Sequence, residues 1–463
     1  MSSIPRGIGL YGSEYSTQAQ RIGLTSGAVP IAIYGLGKMG LPLAGVYAEM
    51  SGNVTGVDID EDVVRGINRG ECHIDGEPGL PELVAEQVER DRFEASSDSR
   101  AVAKESSVHV VIVPTLITDE HEADLGALES VCADIGSGLD AGDLVIIECT
   151  VPPRTCEDVV MPILERESGL SRGEFGLAFC PERTSSGKAL YKLREAHPKI
   201  VGGIDDESTR IAEMIYGEIT NNDVIPVSDA TTAEAVKVFE GLYRDVNIGL
   251  ANELARVTDS LGIDTTEAIE AANTQSYCNI HTPGIGVGGH CIPYYPYFLM
   301  QQVPEQTPLI QTARDVNDSM PGFGVEKLLE GLSRRHTDIE DAKVLVLGVT
   351  YRAGVAETRA TPAAPVIEEL QGLGADVYAT DPLVDVAEFG ATPVDLENIT
   401  DDEYDAAVLV TAHEQFQEID WNEFADMIVV DGRQALDLSD TDHYVYTIGV
   451  GPGEMRTKER LEQ

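Results

Sequence analysis

Residues 30–50 read PIAIYGLGKMGLPLAGVYAEM: a short β-branched run, three spaced glycines and a longer apolar stretch. Gly35 permits a tight turn, Gly37 lets the backbone approach a pyrophosphate, and Gly40 lets a helix pack closely against a strand. The start of that helix offers free N–H groups and a positive dipole end to phosphate oxygens. The pattern therefore predicts a strand, a turn and a helix that bind a dinucleotide, with Lys38 and Met39 within the turn.

The run VTGVDID at residues 54–60 supports this prediction, because it ends a second strand in Asp58, about twenty residues beyond the glycines. An acid at this position accepts hydrogen bonds from the ribose hydroxyls of a dinucleotide. Its charge would repel the 2′-phosphate of NADP, so NAD is the predicted cofactor. A glycine trio that serves only helix packing is the alternative, and Asp58 argues against it.

The fold class follows from the rhythm of the whole chain. Short β-branched runs alternate with longer amphipathic stretches, which predicts α/β domains with parallel sheets and crossover helices. The runs predicted as strands are PIAIYGLG, VTGVDID, SVHVVIVPT, DLVIIECTV, FGLAFCPE, KIVGGI and DVIPVSD, all buried on both faces, and later KVLVLGVTY, DVYATDP, AAVLVTAH and MIVVDG. We predict an extension without periodicity over 1–28, a Rossmann-type dinucleotide-binding domain over 29–228, a central helical domain over 229–334 and a smaller Rossmann-like α/β domain over 335–463.

More than thirty residues without a proline, from 229 to 262, predict one long helix. Thr231 followed by Glu234 fits a capping box, and Gly262 stands where a C-cap would end the helix. A helix of this length is expected to bridge two domains and to form the seam of a homodimer. Lys237 and Arg244 lie seven residues apart and so share a face of it. Lys237 has apolar neighbours, and the two interpretations are a solvated lysine or a desolvated one that acts as acid, base or oxyanion partner.

The charge of the chain is extreme, with 80 acidic against 32 basic residues and a net charge of −48. Such a chain repels a phosphate backbone, so we expect no nucleic-acid partner. The acidic residues are spread over the whole sequence. This spread predicts adaptation to molar salt, where screening removes the self-repulsion, and a cationic partner is the alternative.

Location is predicted from what the sequence lacks. The longest apolar runs, such as VHVVIVP, are far shorter than the roughly 18 residues of a membrane span. The N-terminus has no apolar core of a signal peptide. The seven cysteines form no C-x-x-C pair, which favours reduced thiols. We therefore expect a cytoplasmic protein without a membrane partner, in which Cys132, Cys149 and Cys180 are core residues.

Cys291 differs from these, because it lies in the glycine-rich run GIGVGGHCIPYYPYF at residues 284–298. Three interpretations are open. The glycines can strip side chains from the approach to a nucleophile, they can form a tight loop without chemistry, or His290 and Cys291 can be half of a metal site. The metal site lacks further ligands at plausible spacing, so none is predicted.

The segments YGLGKMGLPLA, GVDID, CPER, AEAVKVFEGLYRDVNIGLANELA and GVGGHCIPYYPYF occur in this order along the chain. Together they resemble the nucleotide-sugar 6-dehydrogenases, the family of UDP-glucose and GDP-mannose dehydrogenases, over residues 30 to about 450. The branch that acts on UDP-N-acetyl-D-mannosamine is the most similar. The resemblance implies two successive NAD-dependent oxidations of a UDP-sugar C6 alcohol to a carboxylate, for glycan synthesis. It implies that Cys291 traps the aldehyde as a thiohemiacetal, which becomes a thioester that water cleaves.

The resemblance also implies roles for further residues. Lys237 would stabilise charge on the reacting oxygen and shuttle protons. Thr115 and Thr150 would lie beside the cofactor, and Arg352 and Arg359 would reach over the pyrophosphate and the cofactor from the last domain. The positions that would lie near the UDP-sugar are Glu182, Arg183, Thr184, Lys237, Gly241, Arg244 and Gly288.

Several positions depart from the family pattern. Gly241 stands where most members have an asparagine beside the reacting centre, and Tyr295 where many have an aspartate that orders water. Ser186 replaces a glutamate of the UDP-glucose branch. These three leave the general base open. At two further positions, Gln275 and Tyr277, the UDP-N-acetylmannosamine branch usually has histidine and arginine, which leaves UDP-glucose and UDP-N-acetylglucosamine as alternative substrates.

Two other classes of protein share parts of this pattern. A two-electron dehydrogenase of the hydroxyacid type has a similar first domain and a helical second domain, and a non-catalytic NAD-binding regulator needs only the first. Neither requires a catalytic thiol. The presence of Cys291 together with Lys237 therefore favours the four-electron nucleotide-sugar dehydrogenase.

Overall fold

The computed structural model describes residues 9–118, 120–184 and 187–453, without the side chains of Thr258 and Asp259. Ser186, one of the departures from the family pattern, lies outside the described residues. None of the helices in the described ranges is long and apolar enough to cross a membrane.

Two compact units make up the chain. The first comprises Met1–Glu240 with Tyr297–Gln301, and the second comprises Gly241–Pro296 with Gln302–Gln463. The boundary between them falls inside the long central helix. The predicted domain limits at 28, 228 and 334 stay predictions.

A mostly parallel sheet of eight strands forms the centre of the first unit. Its strands are β1 (Ile31–Tyr34), β2 (Val54–Val57), β3 (Phe93–Ser96), β4 (Val108–Val111), β7 (Leu144–Ile147), β8 (Gly176–Phe179), β9 (Lys199–Gly203) and β10 (Val224–Pro226), and a small separate hairpin is formed by β5 (Leu116–Ile117) and β6 (Ala123–Asp124). The spatial order is β10-β9-β8-β7-β4-β1-β2-β3. Four neighbouring strands, β1, β4, β7 and β8, are buried along their whole length, as expected for a sheet covered on both faces.

Two parts of the strand prediction were wrong. The strand β9 pairs antiparallel with β8, so β9 and β10 run against the other six strands. The strand β10 is also largely exposed, because it lies at the edge of the sheet. The sequence predicted this run as buried since its residues are apolar, but an edge strand has only one neighbour.

Helices cover this sheet. They are α1 (Thr17–Thr25), α2 (Gly40–Ser51), α3 (Glu61–Ile67), α4 (Leu80–Glu89), α5 (Ser99–Glu105), α6 (Gly126–Gly136), α7 (Met161–Ser168), α8 (Ala189–Tyr191) and α9 (Asp206–Ile219), with π-helical turns at Cys156–Val160 and Lys192–Ala196. Aspartates begin three of them: Asp60, Asp98 and Asp205 each accept an N–H group of the first turn. Such caps satisfy backbone donors that have no partner within the helix.

Residues 9–28, which belong to the predicted N-terminal extension, are structured. The N–H groups of Leu10 and Tyr11 donate to the carbonyl oxygen of Gly142, and the Gln20 amide donates to that of Leu10. Leu10 and Leu24 are fully buried in the core of the first unit. Residues 9–28 thus belong to the packing of this unit, although their sequence shows no clear periodicity.

The long helix α10 spans Ala230–Leu261, as predicted, and Gly262 follows it with a φ of +66°. The predicted capping box was wrong. Asp229 accepts the N–H of Thr232 at 2.6 Å, whereas the buried Glu234 carboxylate accepts the N–H groups of Arg154 and Cys156. Burial raises the pKa of Glu234 to about 7. Glu234 therefore fixes the first turns of α10 to the loop after β7.

The second unit contains a smaller sheet with the order β13-β12-β11-β14-β15-β16-β17, parallel except for β17. Its strands are β11 (Lys343–Leu347), β12 (Asp376–Thr380), β13 (Thr392–Pro393), β14 (Ala406–Leu409), β15 (Ile428–Asp431), β16 (Tyr444–Thr447) and β17 (Gly451–Pro452). The remaining helices of the chain are α11 (Thr265–Ala272), α12 (Tyr295–Met300), α13 (Pro308–Asp318), α14 (Met320–Arg334) and α15 (Ala363–Gly372), with 3₁₀ turns at Pro304–Gln306, Ile339–Asp341, Ala387–Phe389, Leu396–Asn398, Glu414–Gln417 and Trp421–Glu423.

The two sheets share one construction. In the first unit, Asp58 after β2 accepts the N–H of Leu36 in the turn after β1, at 2.8 Å. In the second unit, Asp381 after β12 accepts the N–H groups of Val349 and Thr350 after β11, at 2.8 and 2.9 Å. Hydrogen bonds from His413 and these N–H groups outweigh burial and lower the pKa of Asp381 to about 2. In both domains, an aspartate that follows the second strand thus fixes the turn after the first strand.

Candidate active site

The turn after β1 has the form that the glycines predicted. Gly35 has a φ of +97°, and a Cβ atom there would lie 2.7 Å from the Ile112 carbonyl oxygen. A Cβ on Gly40 would lie 1.8 Å from the Gly35 carbonyl oxygen, so α2 can begin here only without a side chain. At Gly37 nothing lies within 4 Å of the position that a Cβ would take. The open side of the turn is therefore at Gly37.

The glycine turn continues directly into the start of α2. Lys38 is exposed, and Met39 at the start of α2 caps no N–H group with its side chain. Asp58 lies beside the turn, where its second carboxylate oxygen accepts the N–H of Asp60 at 3.0 Å. A helix N-terminus without a side-chain cap, next to an open glycine and a carboxylate, suits a ligand with phosphates and ribose hydroxyls.

Thr115 and Thr150 lie together, although 35 residues separate them in sequence. The Thr115 hydroxyl donates to the Thr150 carbonyl oxygen at 2.5 Å. They follow β4 and β7, which are neighbouring parallel strands next to β1. The carboxyl ends of such strands meet at one edge of the sheet, so both threonines lie on the same edge as the glycine turn.

Glu182, Arg183 and Thr184 form a short segment after β8. The Glu182 carboxylate accepts the N–H of Thr184 at 2.5 Å, and the Thr184 hydroxyl lies 3.8 Å from the Met39 sulfur. Arg183 pairs with Glu240 at 2.5 Å. The structure thus places one predicted substrate residue, Thr184, against a predicted cofactor residue, Met39.

Sequence reasoning missed a buried charged cluster beneath this segment. Lys199 pairs with Glu148 at 2.7 Å and lies 3.7 Å from Glu182, and Tyr216 donates its hydroxyl to Glu148. Burial lowers the pKa of Lys199, but the two carboxylates outweigh it and raise the pKa, so the ammonium stays charged. The sequence contained one sign of this cluster, Glu148 within the apolar run DLVIIECTV. That run was predicted as a strand, and the glutamate was not interpreted.

The central helix carries three of the predicted residues, Lys237, Gly241 and Arg244. Lys237 is half-buried and belongs to the first unit, and Arg244 is exposed and belongs to the second. In the second unit Arg244 contributes to a lowered pKa of His281, although burial is the larger cause.

Gly241 and Tyr295 form a complementary pair. A Cβ atom on Gly241 would lie 2.2 Å from the Tyr295 Cδ2 atom. The aromatic ring of Tyr295 therefore occupies the space that any side chain at position 241 would need. Both positions depart from the family pattern, and the structure shows that the two departures depend on each other.

The glycines before Cys291 are required by packing; that they also clear an approach to the thiol stays a prediction. Cβ atoms at positions 284, 286, 288 and 289 would all meet residues of the second unit. The nearest atoms would be Arg433 Nη1 at 2.6 Å from Gly284, Pro362 Cβ at 2.9 Å from Gly286, the Ala360 carbonyl oxygen at 2.8 Å from Gly288 and the Tyr351 ring at 2.9 Å from Gly289. The loop lies so close to its neighbours that only glycine fits.

Hydrogen bonds hold this loop in place. The Asn252 side chain accepts the N–H of Gly284 at 2.9 Å. The half-buried Arg433 guanidinium donates to the Gly286 carbonyl oxygen at 3.0 Å, and the Gln434 amide donates to the Pro283 carbonyl oxygen at 3.1 Å. These three side chains of the second unit, Asn252, Arg433 and Gln434, thus fix the main chain that leads to Cys291.

Cys291 is half-buried, and the glycines just before it lie against the segment 351–359. The Gly289 N–H donates to the Arg359 carbonyl oxygen at 2.9 Å. Arg352 and Arg359 are both exposed, and the Arg359 guanidinium lies 3.7 Å from Glu357. Glu357 was not predicted, because it lies 66 residues from Cys291 in sequence and no spacing connects the two. No disulfide joins any of the cysteines that the structure describes.

Within the described part of the chain, no group of three or more His, Cys, Asp or Glu residues is arranged to hold a metal ion.

Three family models match the chain in succession. They are the NAD binding domain of the UDP-glucose/GDP-mannose dehydrogenase family at residues 29–220, its central domain at 231–319 and its UDP binding domain at 345–438. The chain belongs to the UDP-glucose/GDP-mannose dehydrogenase family. The resemblance seen in the sequence is thereby confirmed, as is the α/β fold with a Rossmann-type domain at each end.

Individual relatives are similar over most of their length. A UDP-N-acetyl-D-mannosamine dehydrogenase of Pyrococcus horikoshii is 36% identical over 88% of this chain and 96% of its own. An NDP-N-acetyl-D-galactosaminuronic acid dehydrogenase of Ralstonia nicotianae is 32% identical over 87% of this chain and 95% of its own. A solved structure of UDP-D-ManNAc dehydrogenase from P. horikoshii has a TM-score of 0.84 and 34% identity, and covers 91% of this chain and 99% of that one.

Membership of the UDP-glucose/GDP-mannose dehydrogenase family establishes the class of reaction. The chain is an NAD-dependent nucleotide-sugar dehydrogenase with one domain for NAD and one for UDP. The first unit fits the cofactor, because the space at Gly37 and the uncapped start of α2 suit a pyrophosphate, and Asp58 suits a ribose without a 2′-phosphate.

Proposed function

We propose that the protein oxidises UDP-N-acetyl-D-mannosamine at C6 to the corresponding uronic acid, in two NAD-dependent steps. The observation that carries the choice of sugar is the 36% identity to the P. horikoshii UDP-N-acetyl-D-mannosamine dehydrogenase over 88% of the chain. The dinucleotide turn and the thiol loop, both present in full, support the four-electron reaction.

The cofactor site is proposed to consist of the turn 35–40, Asp58 and the two threonines after β4 and β7. The glycine turn and the N-terminus of α2 would hold the pyrophosphate, and Asp58 would accept the ribose hydroxyls. Thr115 and Thr150 would line the nicotinamide end, with Arg359 contributing a charge. Bound NAD supplies the acceptor for the hydride that leaves C6 in each oxidation.

The sugar site is proposed to consist of residues from three segments. Glu182, Arg183 and Thr184 would contact the UDP-sugar from the segment after β8, Arg244 and Gly241 from α10, and Gly288 and Arg352 from the second unit. Arginine suits the diphosphate because its fork can donate two hydrogen bonds to one phosphate. Lys237 would stabilise the negative charge that develops on the C6 oxygen.

Cys291 is proposed to attack the C6 aldehyde. The S–C bond forms as the carbonyl oxygen becomes a hydroxyl, so that the aldehyde stays bound as a thiohemiacetal. Loss of a second hydride and a proton from this adduct gives a thioester, and water then releases the carboxylate and restores the thiol. A thiol is well suited because it is strongly nucleophilic and divides one difficult oxidation into easier steps.

Counting NADH released per sugar tests this proposal. A panel of UDP- and GDP-sugars is offered in limiting amount, with UDP-N-acetyl-D-mannosamine expected to react best. Each sugar consumed should yield two NADH and no aldehyde that a carbonyl reagent can trap. One NADH per sugar would instead indicate a two-electron dehydrogenase. Better turnover of UDP-glucose or UDP-N-acetylglucosamine would reject the sugar but keep the reaction class.

We further propose a homodimer, formed through α10, that works in a salt-rich cytoplasm. Exposed apolar side chains on this helix and after it, among them Phe239, Tyr243, Leu250 and Leu261, support a contact with a second copy. The cysteines outside disulfides support a reducing compartment. The net charge of −48 supports salt adaptation.

Stability should rise with salt. At 0.01 M salt the Debye length is about 30 Å and nearly all the charges repel one another, whereas at 1 M it is about 3 Å. Salt also weakens surface ion pairs such as Arg65–Glu61, but each of these contributes only about 0–1 kcal/mol. Repulsion among 80 acids against 32 bases should therefore dominate. Thermal melts and size-exclusion runs across a KCl series should show a rising Tm and a dimer that separates first at low salt.

Two results would decide against salt adaptation. A Tm that stays flat or falls with KCl would reject salt adaptation and favour a cationic partner as the explanation of the acidic composition. A Tm that rises equally in sucrose at matched osmolality would assign the effect to solvent exclusion rather than to screening of charge.

A further inference from the structure

The sequence leaves the general base of the reaction open, and the second unit contains a candidate for it. Gly241 cannot carry the asparagine of other members, because the Tyr295 ring occupies that space. Tyr295 in turn replaces the aspartate that orders water. The inference below rests on the proposed function, because it concerns the residue that moves protons for Cys291.

His290 has a carboxylate partner across the loop. Its Nδ1 atom lies 3.5 Å from Glu357 Oε1. The thiol of Cys291, the next residue in the chain, lies close enough to the His290 side chain to raise the pKa of the imidazole. The imidazole is 46% exposed and the Glu357 carboxylate 23%, so water reaches the pair. The three residues thus form a series from thiol to imidazole to carboxylate.

The backbone fixes this arrangement from both sides. Gly289, the residue before His290, donates its N–H to the Arg359 carbonyl oxygen at 2.9 Å. On the opposite segment, the Tyr351 N–H donates to the Glu357 carbonyl oxygen at 3.0 Å. Gly288 and Gly289 lie against Tyr351 so closely that a Cβ on either would be within 2.9 Å of it. The position of Glu357 relative to His290 is therefore set by the main chain.

We propose that His290 is the acid–base residue for Cys291 and that Glu357 is a positioning residue that orients the His290 imidazole. The arrangement has the logic of an activated nucleophile, in which a base contacts the nucleophile and a third group orients the base. His290 contacts the reacting sulfur, whereas Glu357 acts through His290. The pair supplies the function that Gly241 and Tyr295 lack.

The thiol proton first passes to the imidazole, which gives a thiolate and an imidazolium. As the Cys291 Sγ–C6 bond forms, the imidazolium gives this proton to the oxygen of the new thiohemiacetal. After oxidation to the thioester, a water molecule attacks the carbonyl carbon and gives a proton to the imidazole. The C–S bond then breaks, the product leaves as a carboxylic acid that ionises in solvent, and the thiolate recovers a proton from the imidazolium.

The charges around His290 favour its protonated form. The hydrogen bond to Cys291, with the attraction of the Cys291 and Glu357 charges, outweighs burial and the repulsion from Arg359, so the pKa of His290 is raised above its usual value. Two further charged or titratable groups lie at this segment: burial raises the pKa of Tyr351, and Arg352 lowers it by a smaller amount. An imidazolium beside a thiol favours the thiolate.

Alkylation of Cys291 tests the proposal without any nucleotide or sugar. The protein in molar KCl is treated with iodoacetamide between pH 6 and 10, and modification of each cysteine is followed by peptide mass spectrometry. In His290→Gln the rate at Cys291 should fall about tenfold at pH 7 and approach the wild-type rate above about pH 9.5, where a thiol ionises unaided. Cys278, half-buried in the same unit, is the internal control and should keep its rate.

Two further variants separate orientation from packing. Glu357→Gln should slow alkylation about threefold to fivefold at pH 7, and Glu357→Asp should restore most of the rate, because a carboxylate and not a side-chain volume is needed. His290→Ala should regain reactivity when imidazole is added, which a merely structural role would not allow. Thermal melts of all variants show whether each is folded.

The alkylation rates of these variants test the roles of His290 and Glu357 separately. An unchanged rate and pH profile in His290→Gln overturns the proposal. A slowed His290→Gln with an unchanged Glu357→Gln overturns the part that concerns Glu357. If the wild-type enzyme releases no NADH with any sugar, the proposed function fails, but the alkylation result still stands or falls by itself. With an active enzyme, His290→Gln should lose acid formation at pH 7 more than at pH 9.

Discussion

Replacing Cys291 by serine should lower formation of the uronic acid by about a thousandfold or more, because nucleophile knockouts typically have effects of this size or larger. A serine hydroxyl is a weak nucleophile unless a base activates it, so the aldehyde would no longer be held as a covalent adduct. The measurements are uronate produced per sugar and trapped aldehyde. Sugar binding should change little, since only the covalent step is removed.

Cys278→Ser is the matched control. Cys278 is half-buried in the same unit, so both variants replace a partly accessible thiol by a hydroxyl. The control should keep wild-type turnover and stoichiometry. Full activity in Cys291→Ser would reject the nucleophile, and equal losses in both variants would assign the effect to packing.

Gly40→Ala should destabilise the first unit by about 3 kcal/mol, the upper part of the range for overpacking a buried site. The reason is the 1.8 Å distance between the new Cβ atom and the Gly35 carbonyl oxygen, which would force α2 away from β1. Neither group is the end of a flexible side chain, so nothing close by can move without shifting the main chain. Chemical denaturation in molar KCl measures the change.

Gly37→Ala separates folding from cofactor binding in the same turn. Nothing lies within 4 Å of its Cβ position, so the free energy of unfolding should stay within about 1 kcal/mol of wild type. NAD affinity should nevertheless fall by about tenfold or more, because the methyl group would occupy the approach of the pyrophosphate. Unchanged NAD affinity in Gly37→Ala would show that the pyrophosphate is bound elsewhere.

The sequence predicted the parts of this fold that depend on local pattern. The glycine turn, strands such as β1, β4 and β7 and the end of α10 before Gly262 need only a short window of residues, and these were confirmed. The direction of β9, the exposed edge at β10 and the packing of residues 9–28 were not predicted. These features depend on which segments become neighbours, and a local pattern contains no information about that.

The candidate site shows the same difference between features that depend on local sequence and features that depend on distant segments. Residues within a motif, such as Gly35, Gly40 and Cys291, could be selected from the sequence. Glu357 and the Glu148–Lys199 pair could not, because each becomes relevant only through a partner that is distant in sequence. The glycines before Cys291 were selected from the sequence, but the packing that requires them was not predicted, because the nearest residues that crowd them lie 60 to 150 positions away.

The close fit of Gly241 and the Tyr295 ring constrains how this enzyme could have diverged from other members. An asparagine introduced alone at position 241 would collide with the ring, whose Cδ2 atom lies 2.2 Å from the site of its Cβ. An aspartate introduced alone at position 295 would leave the volume of the ring empty, and cavities in a packed interior are costly. Each single step between the two arrangements therefore passes through a less stable protein. The two positions form an epistatic pair that exchanges residues together, so a chain with this glycine is expected to have a bulky ring four residues after the cysteine.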